Sequence, residues 1–175
     1  MAKSSSEQIE QDEKKLCSEL MKNSKENIDT IAKHCGFSRQ KAWRMIKQLE
    51  AKGLIWGYTA VFDDEKIGLN HFIVMMKRTS KPLNEGTTDQ IISRRIENML
   101  EKFEGTIESS CYVHGDYDWI VTLTAKNLNQ AKKYIDIMLS LHPNEIEKVT
   151  IMQTLMFIRK QYILNPDRKK LKEFL

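Results

Sequence analysis

Residues 28–53 have the sequence IDTIAKHCGFSRQKAWRMIKQLEAKG, and this stretch decides the fold of the chain. Its pattern predicts a short helix, a tight turn at Gly36-Phe37 and a second helix that begins after Ser38. Helical spacing divides the second helix into two faces. The apolar face carries Ala42, Met45, Ile46 and Leu49, and the other face carries Gln40, Trp43, Arg44 and Lys47. Such a division is typical of a helix-turn-helix whose second helix enters the major groove of DNA.

Positive charge is concentrated at the two ends of the chain, although the formal net charge of +4 is modest. Residues 1–62 hold 11 Lys and Arg against 8 Asp and Glu, residues 63–158 hold 11 against 14, and residues 159–175 hold 6 against 2. We therefore expect a polyanion to be attracted by the N-terminal region and by the tail, and not by the middle of the chain.

Composition and cysteine spacing exclude several classes of protein. The apolar runs fall short of the ~20 residues of a membrane helix, and the N-terminal MAKSSSEQIEQDEKK lacks the apolar segment of a secretory signal. The three cysteines, at positions 17, 35 and 111, are odd in number and widely spaced. This spacing favours reduced thiols over a disulfide framework, so the expected compartment is the cytoplasm.

The N-terminal half is predicted to form a winged helix-turn-helix domain at residues 12–62. It follows a polar tail at residues 1–11, which we expect to be disordered. Residues 54–62, LIWGYTAVF, alternate bulky and β-branched side chains around Gly57 and predict a short hairpin, the wing. A polar hinge at residues 63–69 follows the domain. The predicted helices span residues 12–23, 28–35 and 39–52.

The second half, residues 70–161, has the predicted element order β-α-β-β-α-β. That order predicts a ferredoxin-like, four-stranded antiparallel sheet with two helices on one face, so the whole chain is of the α+β class. We expect a partner chain to cover the other face, because segments such as FIVMM and TLMFI place apolar side chains there. The basic extension at residues 162–175 is either a short helix or a frayed end. The predicted elements span residues 71–79, 88–103, 106–113, 119–125, 128–141 and 146–159.

Four segments resemble the Lrp/AsnC family, the leucine-responsive and asparagine-type regulators of bacteria and archaea. They are GFSRQKAWRMIKQLEAKGLI at 36–55, YTAVFDDEKIGL at 58–69, VHGDYDWIVTL at 113–123 and VTIMQTLMFI at 149–158. They occur in the family's order and at its spacing, and the resemblance covers about residues 12–161. It implies an N-terminal winged helix-turn-helix and a C-terminal RAM domain for dimerisation and small-molecule binding. It also implies a homodimer that often assembles further, commonly into octamers.

The chain departs from the family pattern at several positions. Met45 stands where the family usually has Arg, and His114 stands where Thr or Ser often precedes the Gly-Asp-Tyr/Phe-Asp turn. Residues 152–154 are Met-Gln-Thr in place of Thr-x-Thr, near the family's effector pocket. Residues 162–175 extend beyond the family's usual end. The operator preference of relatives is therefore not transferred to this chain.

The polar face of the second helix supplies the candidate DNA contacts. Arg and Lys can bind guanine edges or phosphates, and Gln can pair with adenine. The alternative is a solvated charged helix face. Trp43 argues against that alternative, because an indole in solvent buries none of its large apolar surface. The candidate residues are Ser38, Arg39, Gln40, Lys41, Trp43, Arg44 and Lys47.

The Gly-Asp-Tyr-Asp turn is the candidate effector site. Its carboxylates can accept hydrogen bonds from a ligand ammonium, and its Tyr ring can form the wall of a pocket. The alternative is an ordinary β-turn of turn-forming residues. The family resemblance implies a pocket between dimers for an amino acid or another small molecule. The candidate residues are Gly115, Asp116, Tyr117, Asp118, Gln153 and Thr154.

No sequence pattern indicates catalysis, a cofactor or a metal. Cys111 and His114 have C-x-x-H spacing and His34 precedes Cys35, but neither pair has the second ligand pair of a structural zinc site. No phosphate-binding glycine loop, metalloprotease helix or serine nucleophile elbow occurs. We therefore expect a DNA-binding transcriptional regulator and not an enzyme. The alternatives are a ligand-blind regulator that uses its RAM domain only for assembly, and a small-molecule sensor whose N-terminal helices bind a protein.

Overall fold

The computed structural model describes residues 2–82, 85–92 and 105–175. The chain divides into two compact units. The first consists of Met1–Val61 together with Phe157–Leu175, and the second of Phe62–Met156. The second unit thus ends earlier than the predicted domain, which ran to residue 161. None of the described helices is long and apolar enough to cross a membrane.

The first unit begins with the helices α1 (Ala2–Lys22), α2 (Ile28–Cys35) and α3 (Arg39–Ala51). Asn27 caps α2, because its side-chain oxygen accepts a hydrogen bond from the Thr30 N–H at 2.9 Å. Helix α2 ends at Gly36, whose φ of +70° lies in the left-handed region that favours glycine. The predicted helix-turn-helix is therefore confirmed.

Apolar side chains from all three helices form the core of this unit. The buried members are Leu16, Ile31, Cys35, Met45 and Leu49. Because Met45 and Leu49 face α1 and α2, the opposite face of α3 is left outside the core. Met45, which stands in place of the family's Arg, is thus a core residue in this chain.

Helix α1 begins earlier than predicted, since residues 2–11 are helical and not disordered. Polar side chains pair along this helix. Gln8 Nε2 donates to Asp12 Oδ1 at 2.9 Å, and Lys14 Nζ lies 2.6 Å from Glu10 Oε1. Such i, i+4 pairs stabilise an isolated helix by about 0.2–0.5 kcal/mol each, so a polar composition is compatible with helix here.

The predicted wing at residues 54–62 differs from the structure, which describes all of these residues and has none of them in a strand. The N–H groups of Leu54 and Ile55 both donate to the Leu49 carbonyl, at 2.9 and 3.3 Å. A strand needs a neighbour for its remaining backbone groups, and no described strand pairs with this segment. Its alternating apolar side chains are consequently exposed, Trp56 to 96%.

The second unit is built on a four-stranded antiparallel sheet in the order β2-β3-β1-β4. Its strands are β1 (Asn70–Arg78), β2 (Gly105–Tyr112), β3 (Trp119–Ala125) and β4 (Ile146–Gln153). Helix α4 (Glu85–Ile92) follows β1, and helix α5 (Leu128–Leu141) follows β3. The predicted α+β fold class is confirmed. The predicted helix at 88–103 lies mostly outside the described residues.

Helix α5 packs against β3 and β4 and covers one face of the sheet. Phe72, Val74 and Leu123 from the strands and Tyr134 from α5 are buried between them. Burial also raises the pKa of the Tyr134 phenol far above its ordinary value, since the charged form would lose its hydration. The core of this unit therefore lies on one side of the sheet.

Strand β4 ends at Gln153, although the sequence predicted a strand to residue 159. The Thr154 N–H still donates to the His71 carbonyl at 2.9 Å. Strand β1 begins at Asn70, so the chain beyond Thr154 has no neighbouring strand to pair with among the described residues. The lack of a partner ends the strand where its sequence would allow it to continue.

The other face of the sheet is called the open face below. Side chains alternate along a strand, so Ile73 and Met75 lie on this face when Phe72, Val74 and Met76 lie in the core. Their cross-strand neighbours are Thr122, Met152, Ile120 and Thr150. The open face is therefore a mixture of apolar side chains and Thr hydroxyls.

The segment Phe157–Leu175, called the C-terminal segment below, belongs to the first unit. Strands β5 (Arg159–Lys160) and β6 (Ile163–Leu164) form a short antiparallel hairpin in it. A 3₁₀ helix follows at Arg168–Glu173. The sequence left a short helix and a frayed end open for this segment, and the structure has a short 3₁₀ helix there. The hairpin was not predicted, because its strands are too short for a periodic pattern.

Candidate nucleic-acid interface

The face of α3 outside the core carries the side chains that the sequence analysis singled out. Gln40, Trp43, Arg44 and Lys47 are all exposed, and Trp43 is 58% exposed. Residues three or four positions apart lie on the same side of a helix, so the side chains at positions 40, 43, 44 and 47 form one strip. The strip combines positive charge, an amide and a large ring on a convex helix.

Ser38 caps the N-terminus of α3. Its hydroxyl oxygen accepts a hydrogen bond from the Lys41 N–H at 3.2 Å. The remaining N–H groups of the first helical turn have no partner within the helix and carry the positive end of the helix dipole. This end of α3 is therefore suited to a phosphate, while the Ser38 hydroxyl already has a structural task.

Lys41 is held inside the unit and is only partly accessible. Its ammonium forms an ion pair with Asp12 of α1 and lies 4.4 Å from the centre of the Phe37 ring. The side chain of Lys41 is 39% exposed and that of Asp12 only 13%. The hydrogen bond from Lys41, followed by that from Gln8, lowers the pKa of the Asp12 carboxyl. Lys41 thus connects α3 to α1.

The other cations of α3 differ in their carboxylate partners. Arg39 Nη1 lies 3.4 Å from Asp29 Oδ2, and Lys47 Nζ lies 2.8 Å from Glu50 Oε2. Among the described residues, Arg44 is the one α3 cation without a carboxylate partner. Exposed ion pairs stabilise a protein by only about 0–1 kcal/mol, so a phosphate can replace these carboxylates.

Tyr58 is a residue near α3 that sequence reasoning missed. Its hydroxyl donates to Glu50 Oε1 at 3.0 Å, so Glu50 binds both Lys47 and Tyr58. These two hydrogen bonds, that from Lys47 first, lower the pKa of the Glu50 carboxyl. Burial and then the bond to Glu50 raise the pKa of Tyr58. The segment after α3 is thereby tied to the end of the helix.

The turn at residues 115–118 lies at the end of the sheet where β1 leaves its pairing with β3. Asp118 Oδ2 accepts a hydrogen bond from the Arg78 N–H at 2.8 Å, so this carboxylate has a structural task. The Tyr117 hydroxyl lies 3.0 Å from the Thr150 hydroxyl of β4, a neighbour that the sequence did not suggest. Gly115 has a φ of +154°, a backbone conformation that other residues rarely adopt.

Gln153 and Thr154 lie at the other end of β4. Gln153 Nε2 donates to Asn70 Oδ1 at 3.0 Å, and the Thr154 hydroxyl lies 2.7 Å from His71 Nδ1. Residues 150 and 153 of the strand are separated by about 10 Å, at roughly 3.4 Å per residue. Within this chain the structure therefore does not bring the six effector candidates together: four form the turn and two lie at the opposite end of the strand.

The described residues include no group of three or more His, Cys, Asp or Glu placed to hold a metal ion. Cys17, Cys35 and Cys111 are all free thiols. Burial, as the main cause, raises the pKa of Cys17 and of Cys35, which favours the protonated thiol at both positions.

Comparison with known proteins places a DNA-binding domain at the same residues. The family model described as winged helix-turn-helix DNA-binding matches residues 13–55. The chain is 27% identical to an uncharacterised HTH-type transcriptional regulator of Pyrococcus abyssi, over 88% of this chain and 97% of that protein. It is 25% identical to the HTH-type transcriptional regulator FL11 of Pyrococcus furiosus, over 72% of this chain and 77% of that protein.

Solved structures share the fold of most of the chain. An AsnC family transcriptional regulator from Agrobacterium tumefaciens is 20% identical, with a TM-score of 0.61 over 89% of this chain and 96% of that one. A transcriptional regulator from Neisseria meningitidis, solved as a complex with L-Met, is 17% identical, with a TM-score of 0.64 over 94% and 97%. LrpC of B. subtilis is 17% identical, with a TM-score of 0.58 over 85% and 95%.

Proposed function

We propose that this chain is a DNA-binding transcriptional regulator of the Lrp/AsnC type that reads a two-part DNA site as a homodimer or a larger assembly. Its winged helix-turn-helix match at residues 13–55, its likeness to HTH-type transcriptional regulators and the fold that it shares with an AsnC family regulator support the proposal. The observation that carries the proposal is the exposed strip of α3, opposite the core face of the same helix. One helix contacts few base pairs, so two copies are needed for a specific site. Their recognition helices would lie ~34 Å apart, one turn of DNA.

We assign different tasks to the candidate DNA contacts. Gln40 and Arg44 read base edges, since both can form bidentate hydrogen bonds and no carboxylate among the described residues pairs with Arg44. Trp43 packs on an apolar base surface such as the thymine methyl group. Arg39 and Lys47 exchange their carboxylates for phosphates. Ser38 positions the first turn of α3 for a phosphate, and Lys41 holds the helix against α1.

The double variant Arg44→Ala/Lys47→Ala tests this proposal in the full chain. We expect it to weaken binding to a duplex enriched by selection from random sequences. The slope of log Kd against log salt should also fall by about 0.9, because Lys47 is the phosphate contact of the pair and Arg44 reads base edges. The matched control is Lys132→Ala/Lys133→Ala, which removes two exposed lysines from α5 of the second unit. Equal effects of the two variants, or no enriched duplex at all, would contradict the proposal, and the latter would favour a protein partner.

We further propose that a second copy of the chain covers the open face, and that an amino acid or similar small molecule modulates the assembly. The bound L-Met of the Neisseria meningitidis regulator supports an amino-acid effector. The turn at 115–118 and the pair Gln153 and Thr154 could join one pocket only when copies meet, because they are apart in one protomer. Calorimetry with a panel of amino acids checks this, and no heat from any of them would favour the ligand-blind alternative. Such a regulator meets its DNA in the cytoplasm.

A further inference from the structure

The C-terminal segment contains the densest run of unpaired cations in the described part of the first unit. Each Lys on and directly after α3 has a carboxylate partner. No described carboxylate, by contrast, forms an ion pair with Lys169, Lys170 or Lys172, and all three are exposed. Their charge is therefore available to an anion without the loss of an existing ion pair.

Hydrogen bonds fold the support from which these lysines extend. The Asn165 N–H donates to the Ile158 carbonyl at 3.0 Å, and Asn165 Nδ2 donates to the Phe157 carbonyl at 2.7 Å. Asn165 Oδ1 accepts from the Asp167 N–H at 2.7 Å, and the Lys170 N–H donates to the Asp167 carbonyl at 3.0 Å. Asn165 thus joins the hairpin to the 3₁₀ helix. A folded support loses less conformational entropy on binding than a free tail does.

We propose that residues 168–172 form a second DNA contact, which binds backbone phosphates in addition to the site that α3 reads. The inference rests on the proposed function, since it takes the same duplex as ligand. The segment belongs to the same compact unit as α3, which favours DNA over an unrelated anion. Lys ammonium groups bind phosphates as point charges, and phosphates carry no sequence information. This segment therefore adds affinity and not specificity.

Counterion release gives the contact a measurable signature. Each phosphate neutralised by a lysine contributes about 0.9 to the slope of log Kd against log salt. Loss of two lysine contacts should thus lower the slope by about 1.8. Between about 50 and about 200 mM salt, the variant should then lose about twelvefold less affinity than the unmodified chain. The same change is expected for specific and random duplexes.

The test compares Lys169→Gln/Lys170→Gln with Lys132→Gln/Lys133→Gln, each in the full chain. Both variants remove two adjacent, exposed ammonium groups and leave the same net charge. Fluorescence anisotropy with a selected duplex and a random duplex gives Kd across a series of KCl concentrations. We expect the lower slope in the first variant alone and with both duplexes. Circular dichroism checks that both variants are folded.

Each of the other possible outcomes overturns either the second DNA contact or the proposed function. Equal slopes in the two variants, with tight binding by the unmodified chain, overturn the second contact and leave the proposed function intact. A loss confined to the selected duplex also overturns it, because the lysines would then read bases. Absence of binding to any duplex by the unmodified chain overturns the proposed function itself.

Discussion

Lys47 and Tyr58 share the Glu50 carboxylate, and we expect this sharing to limit how much positive charge α3 offers to DNA. Glu50→Gln removes the charge that holds Lys47 and keeps a side chain of the same size that can still accept from Tyr58. We expect this variant to bind duplex DNA more tightly, because Lys47 no longer has to leave a carboxylate to reach its phosphate, and to keep nearly the same salt slope, because the number of phosphate contacts is unchanged. Anisotropy titrations at two salt concentrations measure both quantities.

Glu7→Gln is the control for Glu50→Gln, because it removes one exposed carboxylate from α1 of the same unit. Equal tightening by both variants would attribute the effect to net charge and contradict a specific role for Glu50. Stability should change little in either variant, since an exposed ion pair stabilises a protein by only about 0–1 kcal/mol.

Arg44, Lys47 and Lys41 show which features of the site can be predicted from the sequence and which cannot. Helical spacing correctly placed Arg44 and Lys47 on the outer face, since that spacing depends only on local geometry. The same reasoning could not separate Lys41 from them. Its partner Asp12 is 29 residues earlier in the chain, on a different helix, and only the packing of α1 against α3 brings the two together.

At the scale of the element, two substitutions of Ser38, the N-terminal cap of α3, distinguish the effect of the cap on helix stability from its effect on DNA binding. Ser38→Ala removes the cap and should lower the free energy of unfolding by about 1 kcal/mol, measured by urea denaturation. Ser38→Asp keeps a good capping side chain but adds a negative charge at the end of α3 where we place a phosphate. We expect Ser38→Asp to retain stability and to lose DNA affinity. A variant that retains both would contradict a phosphate at this helix end.

Elements whose stability is local were predicted with nearly the observed bounds. The helices α2 and α5 match their predicted ranges, and α3 ends one residue before its predicted last residue. Residues 54–62 were predicted as a hairpin and β4 was predicted too long, because a strand also depends on a neighbour that its own sequence does not reveal. Helix α1 was predicted too short, because its N-terminal part lacks an apolar pattern; polar side chains pair farther along the helix, at residues 8–14.

At the scale of the whole molecule, the open face provides a test of assembly. Ile73→Lys places a charge between Thr122 and Met152 at the centre of this face. We expect the variant to sediment as a monomer and to bind a two-part DNA site more weakly, because two recognition helices would no longer be linked. Ser140→Lys is the control, since it adds the same charge on an exposed position of α5. An Ile73→Lys variant that keeps the oligomeric state of the unmodified chain would contradict the proposed interface.

The effector candidates show the limit of sequence reasoning at this scale. Gly115, Asp116, Tyr117 and Asp118 are contiguous, so the sequence could predict that they meet in one turn. It could not predict that Gln153 and Thr154 lie at the opposite end of β4, close to Asn70 and His71. The register of β1 against β4 decides that distance, and register is a property of the folded sheet.

The path of the chain has a consequence for synthesis and for engineering. From the N-terminus, the chain first supplies most of the first unit and then the whole second unit. The residues from Phe157 onward, which complete the first unit, come last. A ribosome therefore releases the sheet unit before the helix-turn-helix unit has all of its residues, so co-translational folding cannot simply proceed from the first unit to the second. A fragment cut at the end of Val61 lacks part of its own unit. A transplantable DNA-binding module would need both pieces, joined by a new linker in place of the sheet.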